Sequence, residues 1–219
     1  MKTVAAVYTG QGLAEAIKKI FTELLPEVRL VNIIDDGLIH DVIRAGAVDS
    51  RLARRLTAYI PQAQELGAEA ILTTCSSVGE VVDIARGLVD IPIIRIDEAM
   101  AREAAGYYGR IGVIATLPTT LAPTMRLLRA QAAAQGRTIQ VLDGLASGAY
   151  QALIGGSPET HDRLILESAQ RLADRCDAIV LAQGSMARME ASLAEQTGKP
   201  VLSSPRRGIL VLTTGLETR

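Results

Sequence analysis

Rings and sulfur are scarce in this sequence, and neither sign of charge prevails. In 219 residues there is no tryptophan, one phenylalanine and five tyrosines, and 23 Lys and Arg face 24 Asp and Glu. A nucleic-acid binder needs a basic field and flat rings on which bases stack, so that class is excluded. No apolar run approaches the roughly 20 residues that cross a bilayer, so no membrane contact is expected. The opening Met1–Gly12 has a short apolar run but no long apolar core and no small-residue cleavage site. It reads as a strand and glycine turn rather than a signal peptide, which makes the cytoplasm the expected compartment. Only two cysteines occur, Cys75 and Cys176. So few, so far apart, fit two free thiols rather than a disulfide scaffold. No His/Cys/Asp group has zinc spacing, and no phosphate loop with Lys and Ser/Thr is present.

What is plentiful is Ala, Val, Ile and Leu, enough to bury a core and to rule out disorder. Short apolar runs at 3–8, 29–34, 70–74, 91–94, 110–115, 138–142, 178–182 and 200–202 predict strands. Helical patterns lie at 13–25, 51–66, 78–88, 97–107, 120–135, 159–175 and 186–196. The segment 204–212 reads as a further helix, opened by Pro205 and packing back on the first half. Residues 35–49, with His40, read as a loop. Gly67, Gly136 and Gly198 stand where helices stop, and Ser157-Pro158 where one starts. Strand and helix in alternation predict α/β architecture with parallel sheets covered on both faces.

The chain also repeats itself. The run Glu69-Ala-Ile-Leu-Thr-Thr-Cys75 matches Asp177-Ala-Ile-Val-Leu-Ala-Gln183 position for position. Each is followed by serine, a helix, and a short strand entered through proline. Two similar Rossmann-like or flavodoxin-like lobes are therefore expected, residues 1–97 with 208–219 and residues 98–207. Ligands of parallel sheets bind at the carboxyl ends of strands. Two such edges facing one another would make a closed cleft, and the absence of a Pro- or Ser-rich linker predicts a shared interface.

Four strand ends carry candidate chemistry. Cys75 follows a strand and precedes a helix, where unpaired amides favour an anion and depress a thiol below its free value of roughly 8.5. Ser76 and Ser77 read as helix caps or as donors to a substrate carboxylate. The matching turn of the second half is Gln183-Gly184-Ser185, where Gln183 exchanges hydrogen bonds but is no base. Thr116, Thr119 and Thr120 stand at a third strand end, and Thr9-Gly10 at the fourth. Each group also has a plain structural reading as a capped turn or, for Cys75, a small buried side chain. Cys176 precedes its strand and is read as structural. Gly10-Gln-Gly12 with Asp35 or Asp36 mimics a dinucleotide fingerprint, but Glu15 stands at the third glycine position, crowding helix against sheet. His40 and His161 read as surface residues.

Cys75-Ser76-Ser77, Thr116-Leu117-Pro118-Thr119 and Leu181-Ala182-Gln183-Gly184-Ser185-Met186, set in a doubled α/β chain, resemble the aspartate/glutamate racemase superfamily, with its hydantoin racemases, maleate isomerases and arylmalonate decarboxylases. The resemblance implies two lobes related by a pseudo-twofold axis, no cofactor, a homodimer, and a small carboxylate or dicarboxylate as substrate. Racemases of that group use two cysteines on opposite faces of the substrate carbon. Cys75 matches the first, whereas Gln183 occupies the place of the second. Tyr8 stands where glutamate racemases carry an Asp. The expected function is cofactor-independent proton transfer at the carbon next to a carboxylate, as an isomerase or decarboxylase with Cys75 as the single catalytic thiol. Tyr8 or a loop residue is the candidate second proton donor, if there is one. A non-catalytic carboxylate-binding module and a nucleotide-binding oxidoreductase are the alternatives.

Overall fold

In the computed structural model the described residues are 1–217; Thr218 and Arg219, assigned by the sequence reading to the first lobe, lie outside them. The chain divides into two compact units, Met1–Ala99 with the segment from Pro205 onward, and Met100–Ser204. The first unit holds β1 (Thr3–Tyr8), β2 (Arg29–Ile34), β3 (Ala70–Thr73) and β4 (Ile93–Arg95), all parallel, in the order β2-β1-β3-β4. The second holds β5 (Arg110–Ala115), β6 (Gln140–Leu145), β7 (Ala178–Leu181) and β8 (Val201–Ser203), in the order β6-β5-β7-β8. The repeated sequence is thus a repeated topology.

Strand periodicity of two builds both faces of each sheet. Val4, Ala6 and Tyr8 pack with Ile17 and Phe21 of α1 (Ala14–Leu24) and with Ile209, Leu212 and Leu216 of α10 (Ser204–Glu217). Ala5 and Val7 point the other way, onto Leu38 and Val42 of α2 (Asp36–Ala45) and Leu52, Leu56 and Ile60 of α3 (Ser50–Glu65). Each such aliphatic side chain contributes roughly 1.5–3 kcal/mol when fully buried. The closing helix therefore covers one face of the first sheet, as its sequence pattern predicts.

In the second unit Ile111, Val113 and Ala115 pack with Met100 and Ala104 of α5 (Glu98–Tyr107) and Leu121 and Leu128 of α6 (Pro118–Ala134). Ile114 packs on Ile165, Ala169 and Leu172 of α8 (Pro158–Ala173) and Leu193 of α9 (Glu190–Thr197). Two shorter helices, α4 (Gly79–Ala85) and α7 (Ala149–Ile154), complete the set. No helix among the described residues is long and apolar enough to cross a membrane.

All eight predicted strands form. The sixth sits late, at 140–145 instead of 138–142, because an edge strand accepts Asp143 and Gly144. Gly144 is needed there: a Cβ would stand 2.7 Å from the Val113 carbonyl oxygen. Gly67, Gly136 and Gly198 end their helices with positive φ (81°, 66° and 65°).

Three expectations are corrected. Residues 35–49 are not a loop. They contain α2, whose Leu38 and Val42, one turn apart, are fully buried. Helix α7 was missed because six residues behind a left-handed Gly148 carry too little periodicity to read. His161 is buried rather than superficial. Its Nδ1 lies 2.7 Å from Asp162 Oδ1, and the Arg188 guanidinium grips the same carboxylate at 2.5 and 2.7 Å. That ion pair gives the imidazole a polar partner inside the unit.

Gly208 marks the tightest seat of α10. A Cβ there would press on the Ile96 carbonyl oxygen and stand 2.8 Å from Ile96 Cα, backbone that cannot swing away. Gly208→Ala is expected to destabilise the protein by about 1–3 kcal/mol, read as a lower thermal midpoint.

Candidate active site

In a sheet of order β2-β1-β3-β4 the chain leaves β1 for one side and β3 for the other, which opens a crevice at their carboxyl ends. Register decides what meets there. Val7 pairs with Thr73, and the Thr74 N–H and hydroxyl both donate to the Val7 carbonyl (3.2 and 3.1 Å). One residue further on, Thr9 comes level with Cys75, and its hydroxyl hydrogen-bonds the thiol. The backbone at Cys75 is extended, and a 3-10 turn, Ser76–Val78, follows before α4.

Cys75 is half-buried and packs against the core layer of Val7, Val78 and Val82. Burial pushes its thiol above the ordinary value. The Thr9 hydroxyl, the Ser77 amide and hydroxyl and the Val78 amide pull the other way without winning. The expected depression of this thiol is therefore corrected. A three-residue turn and a seven-residue helix carry little dipole, and desolvation outweighs it. Neither serine caps its helix: the turn and α4 have no side-chain cap, and the Ser77 hydroxyl faces the sulfur instead. Ser76 is buried beside it.

The second unit repeats the register with other atoms. Ile114 pairs with Leu181, so Thr116 comes level with Gln183. The Gln183 amide closes on Thr116 from both ends. Its Oε1 accepts from the Thr116 N–H at 2.7 Å, and its Nε2 donates to Thr116 Oγ1 at 2.8 Å. Where Thr9 meets a sulfur, Thr116 meets a locked amide. The hydroxyl hydrogen of Thr116 and the second Nε2 hydrogen remain as donors. Thr120 is buried in the first turn of α6, and the Thr119 hydroxyl oxygen is buried without a partner. Gly184 and Ser185 enter a 3-10 turn, Gly184–Met189, with Ser185 exposed and capping nothing.

Other candidates fall away. Tyr8 is fully buried on the α1 and α10 face; its hydroxyl has no partner, and burial raises its pKa well beyond the ordinary phenol value. It is a neutral core phenol rather than a second proton donor. His40 is exposed on α2. Cys176 is fully buried at the amino end of β7, its Sγ 3.4 Å from where a Gly112 Cβ would sit. Gly12 has open space around it and Glu15 is exposed, so no crowding of helix on sheet occurs and no close backbone approach is built. Among the described residues no group of three His, Cys, Asp or Glu is placed to hold a metal.

Two features beside the crevice escaped the sequence reading. Arg95, at the end of β4 and 4 % exposed, meets Asp97 with Nε and Nη2 (3.2 and 3.3 Å) and Asp83 with Nη1 (2.9 Å). It lies over Gly79, whose missing side chain leaves room for the guanidinium. The Arg-Ile-Asp spacing, which puts both charges on one side of a strand end, was the legible signal. The other feature is Asp35, gripped by Arg55 and Tyr59 of α3.

Gln183→Ala leaves the buried Thr116 N–H without an acceptor and is expected to cost about 1–3 kcal/mol in chemical denaturation. Gln183→Glu keeps an acceptor for that N–H and lets the Thr116 hydroxyl donate in return, so its loss is expected to be the smaller of the two.

The geometry agrees with known proteins. The fold is similar to that of allantoin racemase from Klebsiella pneumoniae (TM-score 0.74, 20% identity, 100% of this chain and 89% of that one). It is also similar to glutamate racemase from Francisella tularensis subsp. tularensis SCHU S4 in complex with D-glutamate (0.79, 16%, 99% and 81%). An unliganded arylmalonate decarboxylase shares it as well (0.58, 14%, 98% and 92%). By sequence the chain has no match among curated proteins. The profile of the Asp/Glu/Hydantoin racemase family, however, matches residues 5–209, which takes in both β1–β3 and β5–β7 pairs, and the chain belongs to that family.

Proposed function

We propose that this protein is a cofactor-independent enzyme that moves a proton at the carbon next to the carboxylate of a small acid, with Cys75 as its single catalytic thiol. The reaction class is isomerisation or decarboxylation. The observation that carries this reading is the Thr9–Cys75 pair at the end of β1 and β3, repeated at the same register as Thr116–Gln183. Family membership supports an enzyme of this kind, and racemisation and decarboxylation both end with a proton placed on carbon.

The raised thiol decides the direction of the work. At neutral pH Cys75 keeps its proton, so the resting group is a donor. In the proposed decarboxylation the C–C bond to one carboxylate breaks, CO2 leaves and the electron pair stays behind as an enediolate; the S–H bond then breaks, a C–H bond forms at that carbon, and a thiolate remains. The Thr9 hydroxyl and the Ser77 and Val78 amides hold that thiolate. Water then restores the proton. Ser76 in the first unit, and Thr116, Thr119, Thr120, Gln183, Gly184 and Ser185 at the matching strand ends of the second, carry donors of the kind that suits a carboxylate and the charge that develops on it. One thiol serves one face of the carbon, and a single product configuration follows.

The test is turnover of a panel of malonic and 2-substituted carboxylic acids in heavy water, followed by NMR. At least one acid is expected to gain one deuterium on the carbon beside the carboxylate, in one configuration. Cys75→Ser is expected to lower that rate by about 10²–10⁴-fold. Full turnover by Cys75→Ser defeats the assignment. Acids that raise the melting point with no deuterium uptake point instead to a binding module, which stabilises by mass action alone.

The pH dependence follows from the same thiol. A step that needs the protonated sulfur is expected to stay level through neutral pH and to fall only above about 8.5, the free thiol value. Alkylation of Cys75 by iodoacetamide rises over that same interval.

A further inference from the structure

Asp35 stands directly after β2, in the N-cap position of α2, yet its side chain caps nothing. A capping Asp normally stabilises a helix by about 1 kcal/mol. Both carboxylate oxygens reach across to α3 instead. Oδ1 accepts from Arg55 Nη2 at 2.5 Å and Oδ2 from the Tyr59 hydroxyl at 2.7 Å. The other arm of the same guanidinium, Nη1, binds Asp41 Oδ2 at 2.9 Å, further along α2. Two bolts therefore fix α2 to α3. Gly37 makes room for them, since a Cβ there would stand 3.0 Å from Arg55 Nη2 and 3.5 Å from Asp35 Oδ1.

What hangs on this corner is the loop that carries Thr9. The Asp35 N–H donates to the Tyr8 carbonyl at 3.0 Å, and the Ile39 N–H donates to the Thr9 carbonyl at 3.1 Å. Ile39 also fills the space beside Gly10, with Cγ2 3.4 Å from where a Cβ would be. Residues 8–10 are thus held by the first turn of α2. The thiol's own partners are Thr9, Ser77 and Val78, none of them ionisable.

We propose that Asp35, Tyr59 and Arg55 are positioning residues for Cys75: by locking the β2–α2 corner they set the Ile39 amide, the Ile39 amide sets the Thr9 carbonyl, and the Thr9 hydroxyl is thereby held on the sulfur. A buried carboxylate with both oxygens paired gives little net stability against an apolar replacement, and its use here is geometric. Tyr59 serves as a donor throughout the working range, because its bond to Asp35 raises its pKa. The inference deepens the proposed role of Cys75 and rests on it for any effect on turnover.

The test reads the sulfur without substrate. Alkylation of Cys75 by iodoacetamide is followed against pH, with peptide mass mapping to separate it from Cys176. Thr9→Val removes a bond that favours the thiolate, so the profile moves to higher pH, and alkylation on its rising limb slows by about 3–10-fold, where tenfold is one pKa unit. Tyr59→Phe, which removes one oxygen, is expected to move the profile the same way by a smaller step, about 2–5-fold, and to add nothing in the Thr9→Val background. A Tyr59→Phe protein that follows the wild-type profile overturns the proposal. So does one whose shift adds in full to that of Thr9→Val, because the effect then does not pass through Thr9. Should Tyr59→Phe fail to fold, Arg55→Lys is read by the same two criteria. A profile that shifts as expected in a protein without turnover leaves the positioning in place and removes the proposed function.

Discussion

A parallel strand pair with a fixed register is the constraint on which the candidate site depends. Hydrogen bonds between β1 and β3 set Val7 opposite Thr73, and everything one turn beyond is settled by that choice. A slip of one residue would turn Val7 onto the opposite face, where Val4, Ala6 and Tyr8 already pack, and carry Thr9 away from the sulfur. The same bonds that bury the first sheet therefore bring a hydroxyl to Cys75. Burial then works against charge on that sulfur, while two hydroxyls and two backbone amides stand ready for the charge when it forms. Desolvation prevails at rest, which leaves a neutral thiol with its anion's partners already in place.

The two halves of the chain keep this frame and fill it differently. In the second, Gln183 uses two hydrogen bonds where Cys75 uses a polarisable sulfur, and both go to Thr116. An amide held at both ends has a fixed orientation, with Oε1 and Nε2 told apart by their partners. The two buried side-chain polar atoms without a partner among the described residues, Tyr8 OH and Thr119 Oγ1, belong to residues just before Thr9 and just after Thr116.

Much of this was readable beforehand, for reasons that differ by element. Central strands such as β1 and β5 announce themselves through unbroken Val, Ile and Ala, and the match of residues 69–75 with 177–183 pointed to equivalent turns. Helix α2 escaped because its buried stripe is only Leu38 and Val42, interrupted by Gly37, His40 and Asp41. His161 was misplaced because an imidazole carries no label of burial; its ion-paired neighbours, Asp162 and Arg188, lie 26 positions apart in sequence. The state of Cys75 was misread for a physical reason. A strand–turn–helix string tells that amides are near, but the balance between their pull and desolvation is set by the core layer the thiol packs against, which includes Val7 and Leu38 from remote parts of the sequence. The Asp35–Tyr59–Arg55 cluster was equally hidden, since its members come from two helices, one of them unforeseen.

Helix α10 crosses back to close the face of the first sheet, laying Ile209, Leu212 and Leu216 over Val4, Tyr8, Ile17 and Phe21. This orders events during synthesis. Residues 100–204 leave the ribosome as a finished set and can collapse on their own, whereas the half made first waits, with a greasy flank open, for residues 205–216. The unit made first is thus the later of the two to mature, and in the interval its apolar flank is open to wrong partners.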